Sequence, residues 1–162
     1  AFEIPVLTLT NVKGFEATVA AEKGIAIASA KLTYAFANAD VPKVNVITGE
    51  AYGSAYVSMN SKSLGADLVY AWPTASIGMM DSQLAAKIMY ADEIAAASDV
   101  AATVSEKAAE YAKLQSSVES AAARGYVDAI IEPADTRKYV IGAFEMLFTK
   151  REDRPAKKHG TV

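Results

Sequence analysis

The chain reads Val44-Asn45-Val46-Ile47-Thr48-Gly49-Glu50-Ala51-Tyr52-Gly53-Ser54-Ala55-Tyr56-Val57-Ser58-Met59 across the segment that decides its fold. The β-branched residues at 44–48 predict a buried strand, and the small residues at 53–55 predict a turn into a helix reaching about Leu64. A strand that turns directly into a helix leaves the first helical N–H groups without acceptors. The sequence therefore predicts a cradle for an anion or a carbonyl oxygen, although a turn selected only for packing would show the same spacing.

Composition limits where else chemistry could lie. The 162 residues are 52% hydrophobic, which fits one domain, and the net charge of -3 argues against a nucleic-acid surface. The chain has no cysteine, and its single histidine is His159, so thiol chemistry and a thiolate metal site are excluded. We expect a cytoplasmic protein, because no apolar run reaches the roughly 20 residues of a membrane span and no signal peptide is recognisable.

Apolar periodicity predicts alternating strands and helices along the rest of the chain. Strands are predicted at 4–10, 43–48, 67–71 and 75–80, and a short extended segment at 126–132. Helices are predicted at 17–39, 82–90, 98–122 and 135–148, the first being apolar all round and therefore buried on most of its surface. This order predicts an α/β fold with parallel strands. The charged residues that follow predict a domain at 1–150 and a polar surface tail at 151–162.

Several motifs, taken in order, carry a resemblance to a known family. They are Ile4-Pro5-Val6-Leu7-Thr8-Leu9, Ala30-Lys31-Leu32-Thr33-Tyr34-Ala35-Phe36-Ala37, Val41-Pro42-Lys43-Val44, Ala51-Tyr52-Gly53-Ser54-Ala55-Tyr56, Gly65-Ala66-Asp67, Ala71-Trp72-Pro73-Thr74-Ala75, Arg124-Gly125-Tyr126-Val127-Asp128, Ile131-Glu132-Pro133, Thr136-Arg137-Lys138 and Lys157-Lys158-His159-Gly160. Over residues 2–160 the chain resembles the C-terminal half of biotin-dependent acyl-CoA carboxyltransferase subunits. The resemblance implies a crotonase-like fold, a spiral of ββα units, here incomplete at its N-terminus.

The resemblance also implies where the site lies. In this family a cleft forms between the N-terminal domain of one subunit, which holds the acyl-CoA, and the C-terminal domain of another, which holds biotin. The implied oxyanion hole for the ureido oxygen consists of the backbone N–H groups of Ser54 and Ala55, which follow Gly53. Gly14 and Phe15 match a loop that lines the biotin pocket, although Phe15 fits a core aromatic equally well.

Some positions depart from the family pattern. Ser54 stands where the family usually has a second glycine, although a backbone N–H needs no particular side chain. Asn11 and Lys13 do not match the family loop. Val57 lies at a position that is associated with the choice of acyl chain, but an aliphatic side chain does not name the acyl-CoA.

The function implied is that of the biotin-facing half of an acyl-CoA carboxyltransferase, inactive or nearly so as this isolated chain. It would use biotin on a biotin carboxyl carrier protein, an acyl-CoA substrate and an N-terminal carboxyltransferase domain as partner, in a homo-oligomer with no metal. Two other classes stay open: a non-catalytic assembly or binding module that retains the fold, and a stand-alone crotonase-type hydratase or hydrolase. The lack of suitably placed paired carboxylates counts against the second.

Overall fold

A computed structural model describes residues 2–152, which form one parallel sheet and seven α-helices. The strands are β1 (Val6–Val12), β2 (Lys43–Tyr52), β3 (Leu68–Ala71), β4 (Ser76–Gly78) and β5 (Ala129–Ile130). The helices are α1 (Val19–Asn38), α2 (Gly53–Ser58), α3 (Ser82–Met89), α4 (Ala91–Ala96), α5 (Val100–Tyr111), α6 (Val118–Ala123) and α7 (Thr136–Met146). Short 3₁₀ turns lie at Lys62–Leu64 and Pro133–Asp135, and a π-helical turn at Ala112–Ser116.

Strand β2 is the centre of the sheet. The order is β1-β2-β3-β5, and β4 pairs in parallel with the last residues of β2. Val44, Val46 and Ile47 of β2 have no exposed surface, as expected for a parallel strand covered on both faces. One apolar cluster packs Ile47 against α6, and a second packs Val44 and Val46 against α7. The predicted α/β class with parallel strands is confirmed.

The junction between β2 and α2 is tighter than predicted. Strand β2 runs to Tyr52, and α2 begins at the next residue, so no separate turn connects them. The helix also ends at Ser58, whereas the sequence predicted a helix to about Leu64. Asn60 explains the early end, because it adopts φ +55° and its buried amide donates to Thr8 Oγ1 and to the Val44 carbonyl.

Helix α1 corrects a second expectation. The sequence predicted burial on most of its surface, but none of its residues is buried against the described part of the chain. Val19 and Ile27 are 73% and 62% exposed. The prediction was wrong because α1 packs here on one side only, through contacts with α2 and with the 3₁₀ turn at 62–64.

The predicted helix at 98–122 is also wrong, because the structure divides it. Helix α5 ends at Tyr111, a π-helical turn follows, and Ser117 is extended with φ −69° and ψ 150°. Ser117 forms a bridge to Ser76 beside β4 and then caps α6 by accepting a hydrogen bond from the Ser120 N–H. The chain must leave the helical path here to reach the sheet. The short helix α4 was not predicted at all.

The end of the domain is anchored by a buried ion pair. Lys150 Nζ lies 2.8 Å from Asp67 Oδ1, and its side chain is only 8% exposed. The remainder of the predicted tail, including His159, lies outside the described residues, so the division at 150 stays a prediction. Within residues 2–152, no helix is long and apolar enough to cross a membrane.

Candidate active site

A small apolar cavity lies between the end of β1, helix α1 and helix α2. Its volume is about 190 Å³. The lining is apolar except for the hydroxyl groups of two serines, and it consists of Val12, Phe15, Ile25, Ala28, Ser29, Leu32, Ala55, Ser58 and Met59. The cavity therefore brings together Phe15 and Ala55, two of the residues that the sequence predicted for the site.

The N-terminus of α2 stands at the edge of this cavity. The N–H groups of Gly53, Ser54 and Ala55 belong to the first helical turn and have no acceptor within the helix. The Tyr52 side chain does not cap them, because its hydroxyl donates instead to Ser76 Oγ at 2.7 Å. Ser54 is exposed, whereas Ala55 is 4% exposed and lines the cavity. These N–H groups can therefore serve as donors to a ligand.

Gly53 is required by the geometry of the junction. Its φ of +62° lies in the left-handed region, which glycine adopts without steric cost. A Cβ at this position would lie 3.1 Å from the Met79 carbonyl oxygen, closer than most side chains tolerate. The chain after β4 thus passes directly beside the strand-to-helix junction, and a residue with a side chain would fit only if that chain moved by a few tenths of an ångström.

The other predicted site residues occupy different places. Phe15 is 40% exposed and lines the cavity, so it is not the fully buried core aromatic of the alternative interpretation. Gly14 lies next to it in the exposed loop between β1 and α1 but is not among the lining residues. Val57 is 40% exposed on α2 and does not line the cavity either.

The two residues that depart from the family loop, Asn11 near the end of β1 and Lys13 just after the strand, both contact Glu50 of β2. Asn11 Oδ1 accepts a hydrogen bond from the Glu50 N–H at 3.0 Å, and Lys13 Nζ lies 3.2 Å from Glu50 Oε2. The Asn11 side chain covers Gly49 so closely that a Cβ there would be 2.7 Å from its oxygen. Both departures from the family pattern therefore still contact β2 where the chain leads to Phe15.

The sequence missed three hydroxyl groups beside the cavity. Ser29 Oγ lies 3.0 Å from Ser58 Oγ, Thr33 Oγ1 lies 3.4 Å from it, and Ser58 Oγ lies 3.0 Å from the Ser54 carbonyl oxygen. The sequence offered only a weak signal for this group, namely hydroxyl residues in otherwise apolar helical stretches. Ser29 and Thr33 precede Ser58 by 29 and 25 residues, so no local pattern connects them.

No lining residue of the cavity carries an ionisable side chain. The nearest titratable group on α2 is Tyr56, whose pKa is raised to about 12 by burial and by the neighbouring Tyr126. Among residues 2–152, no cluster of three or more His, Cys, Asp or Glu side chains could hold a metal ion. The cavity can therefore hold an apolar body and stabilise negative charge through main-chain dipoles, but its side chains cannot transfer a proton.

Comparisons with known proteins identify the family of this chain. The carboxyl transferase domain family matches residues 1–162. A putative propionyl-CoA carboxylase beta chain of Bacillus subtilis (strain 168) is 50% identical over 100% of this chain and 32% of its own length. The biotin-dependent acetyl-/propionyl-coenzyme A carboxylase beta5 subunit of Mycobacterium leprae (strain TN) is 42% identical over 99% of this chain and 30% of its own length. The chain thus spans about a third of the length of these curated relatives.

Solved structures give the same result. The crystal structure of transcarboxylase 12S, described as a hexamer assembly with methylmalonyl-coenzyme A and methylmalonic acid bound, superimposes with a TM-score of 0.94. Its identity is 46% over 99% of this chain and 31% of that chain. These neighbours are carboxyltransferases of the crotonase-like fold, so the predicted fold is confirmed. The chain therefore belongs to the carboxyl transferase domain family.

Proposed function

We propose that this chain forms the biotin-facing wall of an acyl-CoA carboxyltransferase, which moves a carboxyl group between biotin and an acyl-CoA. The observation that carries the proposal is the apolar cavity beside the N–H groups of Ser54 and Ala55, which have no acceptor within α2 and no side-chain cap among residues 2–152. Membership of the carboxyl transferase domain family supports it over a non-catalytic assembly module or a stand-alone hydratase.

The residues present fit biotin. Biotin has an apolar bicyclic body with one strongly polar ureido edge, and the cavity offers an apolar lining with Phe15 on one wall and helical N–H groups on another. Gly14 precedes Phe15 in the exposed loop, and its proposed part in the biotin site is to position Phe15. Gly53 allows α2 to begin directly after β2, because its missing Cβ leaves room for the Met79 carbonyl oxygen, and so it fixes where the first N–H groups of α2 lie.

The proposed catalytic contribution is electrostatic. Biotin, when bound, would supply the carboxyl carrier, and its ureido oxygen would be the atom on which negative charge develops. We expect the N–H groups of Ser54 and Ala55 to donate hydrogen bonds to this oxygen. They would stabilise its negative charge without any change in protonation. Loss of one such donor typically raises the barrier by about 2.7–4 kcal/mol.

The substrate and partners follow from what the relatives are named for. Their names include propionyl-CoA, acetyl-CoA and methylmalonyl-CoA, so we propose an acyl-CoA as substrate and Val57, exposed on α2, as a contact for its acyl group. Biotin would arrive on a biotin carboxyl carrier protein. The exposed helix α1 supports packing against an N-terminal carboxyltransferase domain in a cytoplasmic homo-oligomer, consistent with the hexamer described for transcarboxylase 12S.

The test uses the complete carboxyltransferase that carries this chain. Calorimetric titration with free biotin should show saturable binding, and biotin-dependent loss of the carboxyl group from methylmalonyl-CoA or malonyl-CoA should be measurable. Gly53→Val should abolish both, since a branched side chain does not fit beside the Met79 carbonyl.

The matched control is Gly142→Ala on α7, where a Cβ would meet no atom within 4 Å. It should bind biotin and turn over like the wild type. Absence of saturable biotin binding to the wild type, or wild-type binding and turnover by Gly53→Val, would contradict the proposal.

A further inference from the structure

Three hydroxyl side chains meet where α1 crosses α2. Ser58 Oγ is the centre of the group, with Ser29 Oγ at 3.0 Å and Thr33 Oγ1 at 3.4 Å. Ser58 is 5% exposed, and it is one of two serines in the lining of the apolar cavity. Ser58 is therefore shielded from water, whereas Ser29 and Thr33 are half-buried, and the Ser58 hydroxyl reaches back to the first turn of α2 at the Ser54 carbonyl oxygen.

Proton counting gives the direction of each hydrogen bond. A serine hydroxyl has one proton and two lone pairs. Ser58 donates its proton to the Ser54 carbonyl oxygen at 3.0 Å, so it must accept from Ser29 and from Thr33. All the hydrogen-bonding capacity of Ser58 is then used, and its orientation is held by two side chains of another helix.

The acceptor of this bond belongs to the peptide group that carries the Ala55 N–H. A hydrogen bond to a carbonyl polarises its peptide group and makes the N–H on the same group a stronger donor. We propose that Ser58 is a positioning residue that strengthens the Ala55 N–H toward the ureido oxygen, and that Ser29 and Thr33 orient Ser58. This inference rests on the proposed function of the Ser54 and Ala55 N–H groups.

The chain contains a matched control for the same chemistry. Ser61 Oγ donates to the Val57 carbonyl at 2.9 Å, four residues before it, as Ser58 does to Ser54. Ser61 is 1% exposed, so its loss costs a buried hydroxyl as well. The peptide group it polarises, however, carries the Ser58 N–H, which lies beyond the first turn of α2 and is not available to a ligand.

The experiment compares Ser58→Ala with Ser61→Ala in the complete carboxyltransferase. Transfer is measured with free biotin and whichever of methylmalonyl-CoA and malonyl-CoA gives the faster wild-type turnover. A hydrogen bond to the carbonyl strengthens the N–H donor by about 10–30%. Full loss of such a donor lowers kcat by about 10²- to 10³-fold, so Ser58→Ala should lower kcat by about two- to eightfold. The KM for the acyl-CoA should not change, Ser61→Ala should retain the wild-type kcat, and Ser58→Thr, which keeps the hydroxyl, should restore most of the rate.

Ser29→Ala and Thr33→Val provide a second route if Ser58→Ala does not fold. Each removes one partner that orients Ser58, so kcat should fall by less than in Ser58→Ala, again at constant KM. The inference would be overturned if Ser58→Ala and Ser61→Ala had equal kcat values, or if the two α1 variants had the kcat of the wild type. The proposed function would still stand in either case, provided that Gly53→Val is inactive. Full activity of Gly53→Val would overturn both.

Discussion

Gly53→Ala tests whether the strand-to-helix junction depends on a left-handed backbone. The alanine must adopt φ near +62°, which costs about 1–2 kcal/mol for a residue with a Cβ. Its Cβ would also lie 3.1 Å from the Met79 carbonyl oxygen, so the chain after β4 must shift by a few tenths of an ångström. We expect the free energy of unfolding to fall by about 1–2 kcal/mol.

The matched variant is Gly142→Ala, in the interior of α7 with no atom near the added Cβ. It should raise the free energy of unfolding by about 0.5–1 kcal/mol, because alanine is the better helix former. Both replacements restrict the unfolded chain equally. Their difference, about 1.5–3 kcal/mol, therefore reports the folded state alone.

Urea unfolding of the 162-residue chain, followed by circular dichroism, measures both variants. The midpoint of Gly53→Ala should lie below that of the wild type, and the midpoint of Gly142→Ala above it, with equal slopes. If Gly53→Ala proved as stable as Gly142→Ala, the junction would not need a left-handed residue. The argument that Gly53 is selected for backbone geometry would then fail.

Two further variants test the buried polar groups. Burial raises the pKa of Tyr56 to about 12, compared with about 10 in the unfolded chain. Its contribution to stability is therefore complete below pH 10 and is lost as the pH rises to 12. Tyr56→Phe should remove that loss, up to about 3 kcal/mol, and should not destabilise the protein at neutral pH, because the hydroxyl has no hydrogen-bond partner. A steeper alkaline decline in the variant than in the wild type would contradict this. Lys150→Met should cost about 1–3 kcal/mol in urea unfolding, since it leaves the partly buried Asp67 without the cation at 2.8 Å, although Asp67 still accepts from the Lys43 N–H. An unchanged midpoint would show that this ion pair contributes nothing.

The sequence predicted the features that local chemistry determines. Strands β2 and β3 were found because β-branched runs covered on both faces read as continuous apolar segments. Gly53 was found because small residues between a strand and a helix indicate a tight connection. The break between α5 and α6 was missed, since Ser117 is compatible with the helical pattern on both sides and leaves it only to bridge Ser76.

The parts that were missed depend on contacts between distant segments. Nothing in the local pattern shows that Ser29 meets Ser58 from another helix, and only the family resemblance placed Phe15 and Ala55 in one site. The error over α1 has a related cause, because an all-round apolar helix indicates that something covers it without indicating what. Within residues 2–152 its cover is limited to one side.

The proposed function assigns to a wall without acid–base groups a part in proton-coupled chemistry. Its donors are peptide N–H groups, which do not titrate, and no ionisable side chain lines the cavity. Preorganised dipoles stabilise developing charge equally well at every pH at which the fold persists. In the proposed function, a proton that moves during carboxyl transfer is therefore expected to be carried by the ligand itself or by a group outside the cavity lining that residues 2–152 form. The pH dependence of the complete enzyme then reports on those groups, and variants at Gly53 and Ser58 should change the height of its pH profile without moving its inflections.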